Sequence, residues 1–242
     1  MTVDDRYAQV EGLISREPAS GGEDGGGIAE MRRLCNAAVR ALAARGAGVT
    51  VMARGGLRGM TAASDPAAEK LEELQVTLGE GPCREAFEGR RPVLVPDLAD
   101  GAMARWPVYA PEAQAGGVRA VFSFPLQVGA ARLGVMDVFR GRAGMLSPEE
   151  LALALAFAEV AVATLLRRDG GRPYPAEDWL DRSMGSRAEL FQAQGMVSVQ
   201  LSVGLAEAMV RIRAHAYAHD RRLPDVAADI VARRLRIDGP RP

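Results

Sequence analysis

Val118-Arg119-Ala120-Val121-Phe122-Ser123-Phe124-Pro125-Leu126 and, beyond a break at Gly129, Leu133-Gly134-Val135-Met136-Asp137-Val138-Phe139 read as a strand pair joined by a turn. Their β-branched and aromatic content favours strands. Shortly after them comes Ser147-Pro148-Glu149-Glu150, with a capping hydroxyl, proline at the first helical position and acids in the first turn. It opens a helix to about Leu166. A late hairpin closed by a long helix, after mixed helices and strands, predicts an α+β fold: an antiparallel sheet with helices packed on it.

Moving toward the N-terminus, Pro92-Val93-Leu94-Val95-Pro96 is a short strand with prolines at its ends. Thr77-Leu78-Gly79-Glu80-Gly81-Pro82-Cys83-Arg84-Glu85-Ala86-Phe87 is a glycine turn entering a helix, and Asp65-Pro66 starts a helix over Ala67 to Gln75. Gly48 to Met52 and Met60 to Ala63 are strand-like about a turn at Arg54-Gly55-Gly56-Leu57-Arg58-Gly59. A helix from about Ile28 to Arg45 places Leu34, Ala38 and Leu42 on one face. Residues 1–27 read as a flexible segment, a weak helix followed by a glycine-rich tether.

At 242 residues the chain accommodates one full α/β-type domain and a small helical one. No apolar run reaches the ~18 residues of a spanning helix, and the acidic opening is unlike a signal sequence, so a cytoplasmic protein without membrane contact is expected. Cys35 and Cys83 form no disulfide framework, and His215 and His219 have helical metal spacing but no evident acidic or cysteine partner, so no metal site is expected. The distribution of charge is uneven. Counting Lys and Arg against Asp and Glu, residues 1–27 carry −4 and residues 187–242 carry +3. A basic C-terminus suits contact with nucleic acid.

The C-terminal stretch reads as three short helices. Leu190, Ala193, Val197 and Leu201 form a stripe on the first, with Gly195 expected to allow close helix approach; Leu205, Ala208, Ile212 and Ala216 line the second; Leu223, Val226, Ile230 and Leu235 line the third. Gly204 caps the second helix, and Pro224 suits the first turn of the third. That assignment leaves Gln194, Ser198, Arg213, His215, Tyr217, Arg221, Arg222, Arg233 and Arg234 for the surface. Arginine beside aromatic rings suits unpaired RNA loops, with guanidinium groups on phosphates and rings on bases. Arg211, four residues after Glu207, pairs within its own helix.

The ordered series Ser64-Asp65-Pro66, Leu71-Glu72-Glu73-Leu74-Gln75, Leu78-Gly79-Glu80-Gly81-Pro82-Cys83, Pro92 to Leu98, Arg105-Trp106-Pro107 and Phe124-Pro125-Leu126 resembles a GAF domain. It is similar in particular to the sensor half of actinobacterial GAF–ANTAR regulators. Residues 188–235 resemble the ANTAR domain, an RNA-binding module of bacterial antiterminators. The implied organisation is an N-terminal segment over 1–27, a GAF-like sensor over 28–168, a linker over 169–186 and a small all-α three-helix ANTAR domain over 187–242. The implied function is transcription antitermination, in which a dimer holds two adjacent hairpin loops of nascent RNA. Gln194 stands where many ANTAR domains carry lysine, so one phosphate contact is lost. The family name fixes no ligand, no cofactor is identified, and the effector is an unknown small molecule.

Several alternatives stand open on the residues alone. Cys83, near a helix N-terminus, is either a redox or attachment site or a buried core residue. Trp106 and Tyr109 either close over a pocket or pack their loop onto the sheet. The helix from Pro148, apolar all round, is covered either by a second subunit or by the N-terminal helix. For the whole chain, the alternatives to RNA binding are an adaptor acting through protein partners and a GAF-type methionine sulfoxide reductase using Cys83.

Overall fold

A computed structural model of the chain describes residues 3–18, 27–52, 58–169, 172–173 and 176–237. The expected tether and the turn at Arg54 to Leu57 lie outside the described residues. The chain divides into two compact units, Met1–Val76 with Glu80–Tyr174, and Thr77–Gly79 with Pro175–Pro242.

The first unit is built on an antiparallel five-stranded sheet of order β2-β1-β5-β4-β3. Its strands are β1 (Gly46–Met52), β2 (Arg58–Ala63), β3 (Val93–Val95), β4 (Ala120–Val128) and β5 (Ala131–Arg140). The hairpin β4–β5 is the centre, with Val121 opposite Phe139 and Phe124 opposite Met136. Helices α1 (Val3–Ser15), α2 (Gly27–Ala41) and α7 (Pro148–Leu166) build the main apolar core on one face of the sheet. On the other face lie α3 (Pro66–Leu78), α4 (Pro82–Gly89), α5 (Ala102–Arg105) and α6 (Tyr109–Ala115). A two-stranded ribbon, β6 (Arg168–Asp169) with β7 (Arg172–Pro173), follows α7.

Helix α7 begins where its sequence requires. Ser147 Oγ accepts from Glu150 N at 3.1 Å while Glu150 Oε2 accepts from Ser147 N at 2.8 Å, a complete capping box. Arg140, at the end of β5, donates from Nη2 to Glu150 Oε1 and from Nε to Leu42 O at 3.1 Å. This buried guanidinium joins the sheet to the start of α7 and the end of α2. It also holds the Glu150 carboxyl below the usual glutamate range, together with the capping amide.

The N-terminal helix differs from its expectation as part of a flexible segment. Val10 and Ile14 enter the core, and α1 packs against both α7 and α2. The reason is α7 itself, whose apolar girth needs a second cover beyond the sheet. That contact fills much of the face for which a second subunit is the other reading. Leu155 at 41 % and Leu166 at 53 % exposure remain outside it.

The second unit consists of α8 (Ala176–Leu201), α9 (Leu205–Ala218) and α10 (Leu223–Val231). Helix α8 starts well before residue 187 and runs through Gly185; a single interior glycine costs about 1 kcal/mol against alanine and does not end a helix. Segments Glu189–Leu201 and Leu205–Ala218 meet at a bend of 104°. Ala193, Val197, Ala208, Ile212, Ala216, Val226 and Ile230 form the core, as their spacing predicts. Two expectations fail here. Leu205, in the first turn of α9, is 58 % exposed, and a side chain at Gly195 would meet nothing within 4 Å. Gly195 therefore marks no helix crossing. Among the described residues, no single helix is long and apolar enough to cross a membrane.

Ser147→Ala is expected to lower the stability of the full chain by about 1 kcal/mol through loss of the cap. Phe157→Ala, which empties a fully buried position on α7, should cost about 3–5 kcal/mol. Urea unfolding curves check both, and equal effects would contradict the account.

Candidate functional site

The sheet face toward α3 and α4 carries an unusual polar row. Gly48 on β1 pairs with Asp137 on β5, and Asp137 pairs across the other side with Ser123 on β4. Asp137 thus occupies the middle of the sheet, between Met136 and Val138, and is completely buried. Gly48 has a steric reason to lack a side chain: a Cβ there would stand 2.6 Å from Glu72 Oε1 and 2.8 Å from Glu72 Cδ. Its absence admits the Glu72 carboxylate from α3 to the sheet surface.

The neighbours of these two acids hold them in place. Thr50 Oγ1 donates to Glu72 Oε2 at 2.5 Å, and Gln75 Nε2, one helical turn after Glu72, donates to Asp137 Oδ2 at 2.8 Å. The other end of Gln75 accepts from Cys83 N at 2.9 Å, which satisfies an amide in the first turn of α4. Gly81 caps α4 with φ 130°, and a Cβ there would fall 2.5 Å from Gln75 Oε1. Only glycine allows that backbone to pass so close. The arrangement brings one ligand atom each of Glu72, Cys83 and Asp137 within 4.8 Å of one another.

Electrostatics follow from burial. Desolvation raises the pKa of Asp137 above the ordinary aspartate value, against the opposing pull of hydrogen bonding from Ser123, Gln75, Glu72 and Cys83. Burial also pushes the Tyr109 phenol well up, and the nearby acids Asp137 and Glu72 and the Cys83 thiol add to it. Tyr109 Oη and Ser123 Oγ are buried without a hydrogen bond of full geometry. Cys35 belongs to the opposite face, on α2, where burial drives its thiol pKa far upward.

Of the three residues expected at a pocket, Cys83 and Tyr109 join this cluster. Cys83 is both core residue and cluster member, 1 % exposed at the start of α4. Trp106 instead packs edge-on against Tyr109, with ring centroids 6.4 Å apart and planes at 88°, beneath the Arg105 guanidinium. Glu80 Oε1 accepts from Val108 N and Tyr109 N at 2.9 and 2.8 Å and fixes the start of α6. These contacts favour the packing reading for Trp106. The sequence reading missed Thr50, Glu72, Gln75 and Asp137. A signal existed: Glu72 and Gln75 continue the buried stripe of Ala68 and Leu71 on α3, and Asp137 interrupts an apolar strand.

The expected RNA-contact residues are dispersed over the second unit and differ in their engagement. Gln194 Nε2 donates to Leu205 O at 2.8 Å and Ser198 Oγ to Val203 O at 2.6 Å, so both hold the α8–α9 turn. Arg221 and Arg234 each donate to Asp229, at 2.5 and 2.7 Å, and lower its pKa. His215 stacks on His219 at 4.0 Å between centroids. Tyr217, Arg222 and Arg233 are exposed, and Arg213 is half-buried. Arg211 pairs with Glu207 at 2.8 Å, as its spacing predicts. Between α8 and α10 lies a groove of about 720 Å³ with Met196, Val199, Ile230 and Leu235 in its wall. Arg233 and Arg236 stand at the same groove, and Arg236 was not among the expected residues.

The five-stranded antiparallel sheet, with helices on both faces, is the architecture of a GAF-type sensor. The chain belongs to the GAF domain family, whose match covers residues 29–165, more than half of its length. No curated protein matches the chain. Among solved structures it is similar to the GAF domain of a phosphoenolpyruvate-protein phosphotransferase from Coxiella burnetii, at 16 % identity and TM-score 0.49, covering 67 % of this chain and 91 % of that one. A GAF domain of the corresponding Acinetobacter protein gives 10 % identity and TM-score 0.48, covering 68 % and 94 %. The free methionine-R-sulfoxide reductase of Neisseria meningitidis gives 16 % and 0.44, covering 67 % and 87 %.

Two measurements check the polar row. Gly48→Ala is expected to destabilise the chain by about 1–3 kcal/mol, because a methyl group there collides with Glu72. For Asp137, a raised native pKa means that the folded state holds the proton more tightly than the unfolded chain. Stability should therefore fall as pH rises from the ordinary value of 3.8 through the native value. Asp137→Asn, which never ionises, should flatten that slope in urea titrations at several pH values; an unchanged slope would mean that another group causes it.

Proposed function

We propose that the chain is a sensor-controlled RNA-binding regulator of transcription, in which the α8–α10 unit is an ANTAR-type module that binds hairpin loops of nascent RNA and favours antitermination. The observation that supports this reading is the three-helix unit itself, which buries Ala193, Val197, Ala208, Ile212, Ala216, Val226 and Ile230 and carries Arg233 and Arg236 at its α8–α10 groove. Guanidinium groups at the edge of an apolar groove suit phosphates bordering unstacked bases. The module works as a homodimer in this reading, because linking two weak loop contacts multiplies their strength without new chemistry. Control comes from a small-molecule effector bound by the GAF half, whose binding and RNA affinity are reciprocally coupled. The sensor is not an enzyme in this reading. A reductase cycle through Cys83 calls for a second thiol, and Cys35 lies on the opposite face of the sheet.

The adaptor reading draws support from one feature of the same groove. Val199 is 82 % exposed and Phe191, on the same helix, 53 %. Such side chains accept a protein partner as readily as a base. RNA binding separates the two.

The full chain is expected to bind tandem-hairpin RNA with an affinity that falls steeply with salt, as counterion release requires. Arg233→Ala should weaken binding by about 1–3 kcal/mol with unchanged thermal stability, whereas Arg221→Ala should lower stability by removing a partner of Asp229. Mobility-shift titrations at several salt concentrations check the first effect and melting curves the second. Salt-independent binding, or none, with a protein captured in its place, would replace the RNA reading by the adaptor. A monomer in light scattering at micromolar concentration would remove the bivalent mechanism.

A further inference from the structure

We propose that the groove between α8 and α10 is a binding site for a small amphipathic anion, a free medium-chain carboxylate. Its volume of about 720 Å³ lies within the range of about 300–1,000 Å³ common to small-molecule sites. Met196 and Val199 of α8, Ile230 of α10 and Leu235 beyond it give the groove an aliphatic wall. Neither an aromatic ring nor an acidic group is among the residues that line it. The charge there is the positive charge of Arg233 and Arg236. An alkyl tail against the wall and a carboxylate on the guanidinium groups complement both halves of the lining.

The backbone holds this charge in position. Arg234 N donates to Asp229 O at 2.8 Å and Arg233 N to Ile230 O at 3.0 Å, the two bonds of a Schellman cap that closes α10. The cap sets Arg233 at φ 59°, in the left-handed region where glycine is the easier residue. The carboxylate of the same turn, Asp229, is taken by Arg221 and Arg234. Among the described residues, Arg233 and Arg236 have no ion-pair partner. On the opposite side of the groove, Gly195 leaves bare helix backbone, and a Cβ there would meet nothing within 4 Å. An interior glycine weakens a helix, and no packing within the described chain calls for this one. The open backbone lets a tail lie close against α8. Gln200 Nε2 already donates to Ile237 O at 2.5 Å, and no hydroxyl lines the groove, so its wall suits an alkyl chain better than the polar edge of a base. An RNA loop would share the two arginines through its phosphates. The carboxylate therefore excludes RNA from the groove, a consequence that rests on the RNA reading, whereas its binding does not.

The test is calorimetric titration of the full chain with sodium decanoate below its micellar concentration. The expected result is saturable binding of one decanoate per chain, with no binding of acetate, which has the head group alone, or of decyltrimethylammonium, which reverses the charge. Arg233→Gly should weaken binding by about 10-fold or more and leave the melting temperature unchanged or raised, because glycine suits the cap. Gly195→Leu, which fills the groove from a position without neighbours, should abolish binding. Should it fail to fold, Val199→Glu at the exposed wall takes its place and should repel the carboxylate. Absence of decanoate binding, equal binding of decyltrimethylammonium, full affinity in both Arg233→Gly and a folded groove variant, or attachment to phosphatidylglycerol vesicles without binding of free decanoate would overturn the site. Mobility shifts with tandem-hairpin RNA keep the two readings apart. Decanoate bound by a chain that binds no RNA leaves the site standing and removes the RNA reading, and RNA bound by a chain that ignores decanoate does the reverse. Where both bind, decanoate should release the RNA from wild type and fail to do so from Gly195→Leu.

Discussion

Burial of Asp137 at the centre of the sheet is the constraint to which the rest of the first unit answers. A carboxyl group between Met136 and Val138 must find partners within the protein, because solvent does not reach it. Gln75 supplies one of them and is held in turn by its contact with Cys83 N. Glu72 approaches only because Gly48 leaves the space above β1 open. Four elements, β1, α3, α4 and β5, are thus placed by polar contacts on one face, while α1, α2 and α7 join the other through the apolar core, with Arg140 bonded to Leu42 O and Glu150 at its edge. The two faces differ in kind: one holds the main apolar core, and the other carries the buried polar row of Thr50, Glu72, Gln75, Ser123 and Asp137.

The C-terminal unit shows the opposite economy. Among the described residues its core is built of valine, isoleucine and leucine side chains interleaved with alanines, and several polar contacts serve the turns. Gln194 and Ser198 hold the α8–α9 connection, and Asp229 gathers Arg221 and Arg234. A basic patch is therefore not uniformly available. Arginines committed to Asp229 contribute to shape, while Arg233 and Arg236 stand exposed beside the groove. This division explains why a count of C-terminal arginines overstates the number that are free to meet a phosphate.

Much of this fold was legible in the chain because its signals are local. The capping box at Ser147, the turn at Gly129 and the proline before Cys83 each act over a few residues, and each stands where the sequence reading put it. The packed α1 was not legible as such, since its weak amphipathicity becomes stable only against α7, an interaction across more than a hundred residues. The acid cluster was harder still. Glu72 looks like an ordinary surface charge on a helix until its register with Ala68 and Gln75 is combined with the gap at Gly48 on a different element. Gly195 shows the reverse error, in which a plausible local reason for a glycine meets an open surface.

Burial also decides how solvent reaches the acid cluster. With Glu72, Cys83 and Asp137 all at most 1 % exposed, access requires local opening of the elements that cover them. One part of that cover is α4, an eight-residue helix that starts on a proline and has no side-chain cap. Lifting its first turn breaks the contact of Cys83 N with Gln75 Oε1 and leaves the Gln75 Nε2 bond to Asp137, made from α3, in place. The Cys83 amide thus depends on the short α4 for its cover, while Asp137 is held between the sheet and Gln75 of α3.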